Sequence, residues 1–139
     1  MTAPLLFSIV ESPGHPNLSG LYQRMGIEEL RLPSQRKAVQ ALKRNRPDLV
    51  VAEFFYGFGN NYAGANLSNL DVFLASLQKY APKALTIVLV EKSQRQFVNR
   101  LSERFPLHAV LAQPATAQDM ELILQESLQS LQNHEETTR

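Results

Sequence analysis

The chain has 139 residues, 44% of them hydrophobic and 19% charged, with a formal net charge of +1. That length suits a single domain, the apolar fraction is too high for a disordered chain, and the balanced charge argues against a strong field toward nucleic acid or membranes. There is no cysteine, which excludes disulfides, thiolate zinc sites and thiol chemistry.

The first four residues, Met1-Thr2-Ala3-Pro4, carry no basic region of the kind that opens a secretory signal. No apolar run approaches the ~20 residues of a membrane-spanning helix, so the expected location is the cytoplasm. The triplets Asn17-Leu18-Ser19 and Asn66-Leu67-Ser68 are then chance matches to a glycosylation acceptor.

Leu5 to Val10 is a short apolar run ending in the turn cluster Glu11-Ser12-Pro13-Gly14, and it predicts a buried strand. Leu18 to Met25 can form a helix with Gly26 as its stop. Ile27 to Leu32 alternates imperfectly and predicts a weaker strand. Ser34 suits the N-cap of a helix through about Asn45, with Ala38, Val39, Ala41 and Leu42 as its apolar stripe. Leu49-Val50-Val51-Ala52 then predicts a strand buried on both faces and ending at Glu53.

The stretch from Tyr56 to Leu67 is rich in Gly, Asn and aromatic residues and predicts a long irregular loop. A helix follows from near Ser68, where Asp71 completes an imperfect capping box, and carries Leu70, Phe73, Leu74 and Leu77 to Pro82. Leu85 to Val90 is the third strong strand. Ser93 is the expected cap of a helix bearing Phe97, Val98 and Leu101, which Pro106 ends. His108 to Ala112 is the fifth strand, stopped by Pro114. Thr116 and Asp119 open a last helix striped with Met120, Ile123, Leu124, Leu128 and Leu131. The expected domain is the whole chain, 1–139, with a core over about 5–131 and a polar, frayed tail over 133–139.

Five strands alternating with five helices imply an α/β fold. Continuous apolar strands mean that both sheet faces are covered, so the sheet should be parallel, doubly wound and sandwiched between two helical layers. Ligands of such sheets collect at the carboxyl ends of the strands. That rule points to Glu11, Ser12, Glu53 to Tyr56, Val90, Glu91, Gln113 and Pro114.

At those positions the chain resembles the receiver domains of response regulators. Pro47-Asp48-Leu49-Val50-Val51-Ala52-Glu53 is similar to the receiver segment in which Pro-Asp-Leu and apolar residues precede the phosphoacceptor Asp. Leu111-Ala112-Gln113-Pro114 is similar to the end of the fifth receiver strand, where a Lys precedes a cis-proline. Ile9-Val10-Glu11-Ser12 falls where the family carries an acidic pair. The resemblance covers Leu5 to Leu131. It implies an acceptor Asp that takes phosphate from a phosphohistidine, two further carboxylates holding magnesium, a Lys that pairs with the phosphoryl group, and a hydroxyl on the fourth strand that reports it.

This sequence departs from the pattern at each of those parts. Glu53 stands for the acceptor, Glu11 plus Ser12 for the acidic pair, Gln113 for the Lys, and Val90 (or Glu91 in a register shifted by one) for the hydroxyl; the resemblance also implies an aromatic switch residue on the fifth strand, where this chain has Val110. Positioning catalysis fails when a reacting group moves by ~1 Å. The chain is therefore expected to be a pseudo-receiver: not an enzyme, without cofactor, acting through an unidentified protein partner. The alternative is residual metal, phosphate or small-ligand binding at the same pocket. Glu11 and Glu53 supply two carboxylates, which without a third anionic ligand bind magnesium weakly. Glu53 itself reads either as a built-in mimic of the phosphorylated acceptor or as a strand-end polar residue satisfied by water or amides, and the missing Lys and hydroxyl favour the second.

The 56–67 loop reads as a partner-binding lid, with Tyr56, Phe58, Asn60, Asn61 and Tyr62 as candidate contacts, or as a self-packing Ω-loop. Its Gly57-x-Gly59 pair lacks the spacing and position of a phosphate loop. Arg36, Lys37, Lys43, Arg44 and Arg46 make the second helix basic, and Arg95, Arg100 and Arg104 do the same for the fourth. Without interleaved aromatics both read as solvated faces, with no nucleic-acid or membrane partner. His15, His108 and His134 have no metal-ligand spacing. Surplus apolar residues on the last helix, with the resemblance, imply a homodimer through the fourth helix, fifth strand and fifth helix.

Overall fold

A computed structural model describes residues 3–57 and 68–137, with side chains as far as 132. Five strands, β1 (Leu5–Ile9), β2 (Glu28–Leu32), β3 (Leu49–Glu53), β4 (Leu85–Glu91) and β5 (Ala109–Gln113), alternate with five helices. These are α1 (Ser19–Arg24), α2 (Gln35–Leu42), α3 (Asp71–Tyr80), α4 (Arg95–Arg104) and α5 (Ala117–Thr137). All four pairings are parallel, in the order β2-β1-β3-β4-β5. The expected doubly wound α/β sheet is the one observed.

The apolar strands split their side chains between two cores because successive residues face opposite sides. Phe7, Val50 and Val88 pack with Leu42 of α2, Phe73 of α3 and Leu101 of α4. Leu6, Val51 and Ile87 pack on the other face with Leu21 of α1 and Leu124 of α5. β2, the weaker strand in sequence, lies at one edge of the sheet and β5 at the other.

Local signals hold where they are short-range. Ser34 accepts a hydrogen bond from the Lys37 N–H at 3.1 Å, Thr116 Oγ1 accepts one from Asp119 N–H at 3.0 Å, and Gly26 takes the left-handed φ of +73° just past α1. One detail differs. Ser93 does not cap α4: a 3-10 turn over Lys92–Gln94 intervenes, and Gln94 is the N-cap. The backbone of α5 is helical from Ala117 to Thr137.

Candidate functional site

Parallel pairing of β1 with β3, Ile9 opposite Ala52, delivers Glu11 and Glu53 to the same edge of the sheet. Glu53 is 1% exposed. Its Oε1 accepts the backbone N–H groups of Glu11 and Ser12, both at 3.1 Å, and the Ser12 hydroxyl donates to Oε2. The longer side chain thus reaches across to the β1–α1 turn and is held there by three donors. Of the two readings of Glu53, the amide-satisfied one matches this geometry.

Glu11 is engaged from other directions. Its Oε1 accepts from Gln35 Nε2 at 2.8 Å and from Asn69 Nδ2 at 3.0 Å. Asn69, which the sequence reading did not single out, joins the two acidic positions. Its Nδ2 also donates to the Glu53 carbonyl at 2.8 Å, and its Oδ1 accepts the Phe55 N–H at 2.7 Å. This pattern of one acceptor and two donor contacts fixes the amide orientation. Nothing in the sequence marks an Asn just before a helix as a clamp. The contacts span separations of 14 to 58 residues and exist only once the sheet has formed.

The other expected positions fall around this cluster. Val90 is fully buried in the core shared by α2, α3 and α4, and Glu91 is exposed. Gln113 at the end of β5 is half-buried, and its Nε2 donates to the Gly14 carbonyl at 3.2 Å, where the resemblance implies a cationic side chain. The Gln113–Pro114 peptide is cis, and Pro114 is exposed. Val110 packs half-buried against the core. Among the described residues no three His, Cys, Asp or Glu side chains converge on one point.

Tyr56 is the described part of the candidate loop; Phe58, Asn60, Asn61 and Tyr62 lie outside the described residues. Tyr56 makes an isolated antiparallel bridge with Ser68. Its N–H donates to Gln94 Oε1 at 3.2 Å, and its ring stacks on Phe97 of α4 with centroids 3.8 Å apart and planes 12° from parallel. Gly57 follows with φ +68°, a conformation glycine adopts without steric cost.

Arg104 is not simply part of a solvated face. Its Nη1 donates to the buried carboxylate of Asp71 at 3.1 Å, and Asp71 Oδ1 also accepts from the Ser68 N–H at 2.6 Å and the Ser68 hydroxyl at 2.9 Å. Ser68 is not the N-cap of α3, a place Leu70 takes without a side-chain cap bond; the Ser68–Asp71 pair instead closes the turn before the helix and is tied to the end of α4. The histidines are apart: His15 is buried with Nδ1 on the Pro16 carbonyl at 2.8 Å, and His108 pairs through Nε2 with Glu126 at 2.6 Å.

No family model matches the sequence, and no curated protein does either. Solved structures do match. A response regulator receiver domain from Clostridium thermocellum aligns over 94% of this chain and 97% of its own, at 20% identity and a TM-score of 0.70. A CheY-like receiver domain from Methanospirillum hungatei JF-1 aligns over 96% and 99%, at 10% identity and 0.74. A member of a streptococcal family of redox sensors evolved from two-component response regulators aligns over 97% of this chain and 55% of its own, at 12% and 0.76. Such identities speak to fold alone. With five parallel strands in the order β2-β1-β3-β4-β5 and five helices on two faces, this chain has the fold of a response regulator receiver domain.

Proposed function

We propose that the chain is a non-catalytic, receiver-like protein-interaction module of bacterial, cytoplasmic signal transduction, and that it does not take up phosphate. The observation that carries this reading is the Glu53 carboxylate, held by two amides and a hydroxyl of the β1–α1 turn. A carboxylate bound in this way offers no free oxygen aimed at a donor phosphate. Gln113, bound to Gly14, brings no charge to the transferring group. Incubation with magnesium and acetyl phosphate followed by intact mass measurement tests the reading. The mass should stay unchanged, both for the natural chain and for Glu53→Asp, and a gain of one phosphoryl group on the natural chain overturns it.

The partner in this reading is another protein or a second copy of the chain. β5 is half-buried along its whole length, and Leu122 on α5 is 64% exposed, which supports a homodimer through α4, β5 and α5. Sedimentation equilibrium should show a dimer that Leu122→Glu weakens; a monomer at all concentrations removes that part of the reading.

A further inference from the structure

The near-neutral net charge conceals a segregated distribution. Between Arg31 and Pro47 the sequence holds six basic residues and no acid, and none lies between Asp71 and Glu91 either. In the fold these two segments meet, since α2 packs beside α3. Arg36, Lys37, Lys43 and Arg44 are all exposed, while Ala38 and Leu42 on the opposite side of α2 are buried. Helical spacing places the four on one outward stripe. The stripe continues past the helix end, where the N–H groups of Arg44 and Asn45 bond to the Ala41 carbonyl.

There the two segments are joined by direct contact. Arg46 Nη1 donates to the Tyr80 carbonyl at 2.9 Å, its guanidinium lies 5.9 Å from the Tyr80 ring centroid, and Lys79 Nζ lies 5.4 Å from the same centroid. Lys83 follows just beyond α3 and is exposed. The neighbouring acid, Asp48, is turned to the Leu5 N–H at 2.9 Å. Sequence spacing alone places these cations on two unrelated helices.

We propose that this α2–α3 face docks an acidic polypeptide segment that presents carboxylates at helix-turn spacing. The proposal rests on the protein-interaction reading above and names its partner class. Charge complementarity is the argument, and three features narrow the occupant to a protein. Tyr80, the aromatic ring at this face, is already covered by two cations, so no free ring is offered to stack a base. Among the described residues the exposed large apolar side chains are Tyr56, Val72 and Leu122; of these only Val72 lies on α2 or α3, and one valine at the start of α3 gives no apolar face to insert into a bilayer. The basic stripe is only a few turns of helix long, so it neutralises few of the phosphates on which nucleic-acid affinity depends. A short acidic helix fits within the stripe.

The test uses the whole chain and a labelled helical peptide of about four turns with glutamates at i and i+4. Fluorescence anisotropy is read at low salt and again at physiological ionic strength, where the screening length falls to about 8 Å. Binding should be present at low salt and weaken with salt. It should fall about tenfold in Lys43→Glu/Arg44→Glu, but not in Arg24→Glu/Lys92→Glu, which carries the same charge change elsewhere. Circular dichroism confirms that both variants are folded. No binding at low salt, equal loss in both variants, or tighter binding to a DNA duplex or to anionic phosphatidylserine vesicles overturns the proposal. Phosphoryl uptake in the mass experiment, with peptide binding intact, would sink the reading of the pocket and leave this face standing.

Discussion

Glu53 is almost wholly buried, and among the described residues its charge is balanced by hydrogen-bond donors with no paired cation. Leaving a buried donor unpaired costs about 1–3 kcal/mol, so Glu53→Ala, which strands two N–H groups and a hydroxyl, should lose about 2–4 kcal/mol in urea unfolding. Glu53→Gln keeps an acceptor for the amides and should lose less. Equal stability of Glu53→Ala and the natural chain would mean that the carboxylate does not hold the turn. Tyr22 presents the opposite case: its hydroxyl is buried without a partner among the described residues. Burial first, and Glu29 second, push its ionisation well above the ordinary tyrosine value. The unfolded chain releases this proton near pH 10.0 while the folded chain keeps it, so stability must fall as pH rises past that point. Tyr22→Phe removes this loss. It should be as stable as the natural chain or slightly more so at neutral pH, and should unfold at a higher alkaline midpoint. A lower midpoint would show that the hydroxyl has a partner.

At the scale of elements, what could be read from sequence followed the reach of each signal. Ser34 and Thr116 cap helices through bonds to residues three positions on, so local pattern sufficed. β1, β3 and β4 stand out as uninterrupted apolar runs because both their faces are covered. Ser93 misled because the same residue type suits a 3-10 turn as well as an N-cap. The acidic positions of the site were legible from topology and resemblance, but their partners were not. Asn69 and Gln35 reach Glu11 across 58 and 24 residues, a separation that no periodicity encodes. The Asp71–Arg104 tie between α3 and α4 is another such contact, and it is asymmetric. Asp71 is 5% exposed and also satisfies Ser68, whereas Arg104 is 48% exposed. Asp71→Ala should cost about 2–3 kcal/mol, since it unpairs the Ser68 N–H inside the protein. Arg104→Ala should cost under about 1 kcal/mol, because solvent screens its side of the pair. Comparable losses in chemical denaturation would place the energy in the ion pair and not in the Ser68–Asp71 turn.

For the molecule as a whole, the sheet separates two cores while belonging to both, and this determines how the fold should fail. Val50 and Val51 are adjacent in β3, yet one packs toward α2, α3 and α4 and the other toward α1 and α5. A defect on either side therefore acts on the same strands, whose pairing holds the Glu11–Glu53 turn in place. Leu42 of α2 and Leu124 of α5 are both fully buried, one in each core. Truncation of either to alanine leaves a cavity, and each should lower stability by about 2–5 kcal/mol. The shared sheet makes a further demand: in both variants, far-ultraviolet dichroism and tyrosine fluorescence should report one coincident urea transition. Tyr22 lies in the core with Leu124, and Tyr80 packs against the core with Leu42, so the fluorescence samples both sides. If Leu124→Ala split the unfolding into two steps while Leu42→Ala did not, α1 and α5 would form a separable layer, and cooperativity would reside in β1, β3 and β4 with the opposite helices alone.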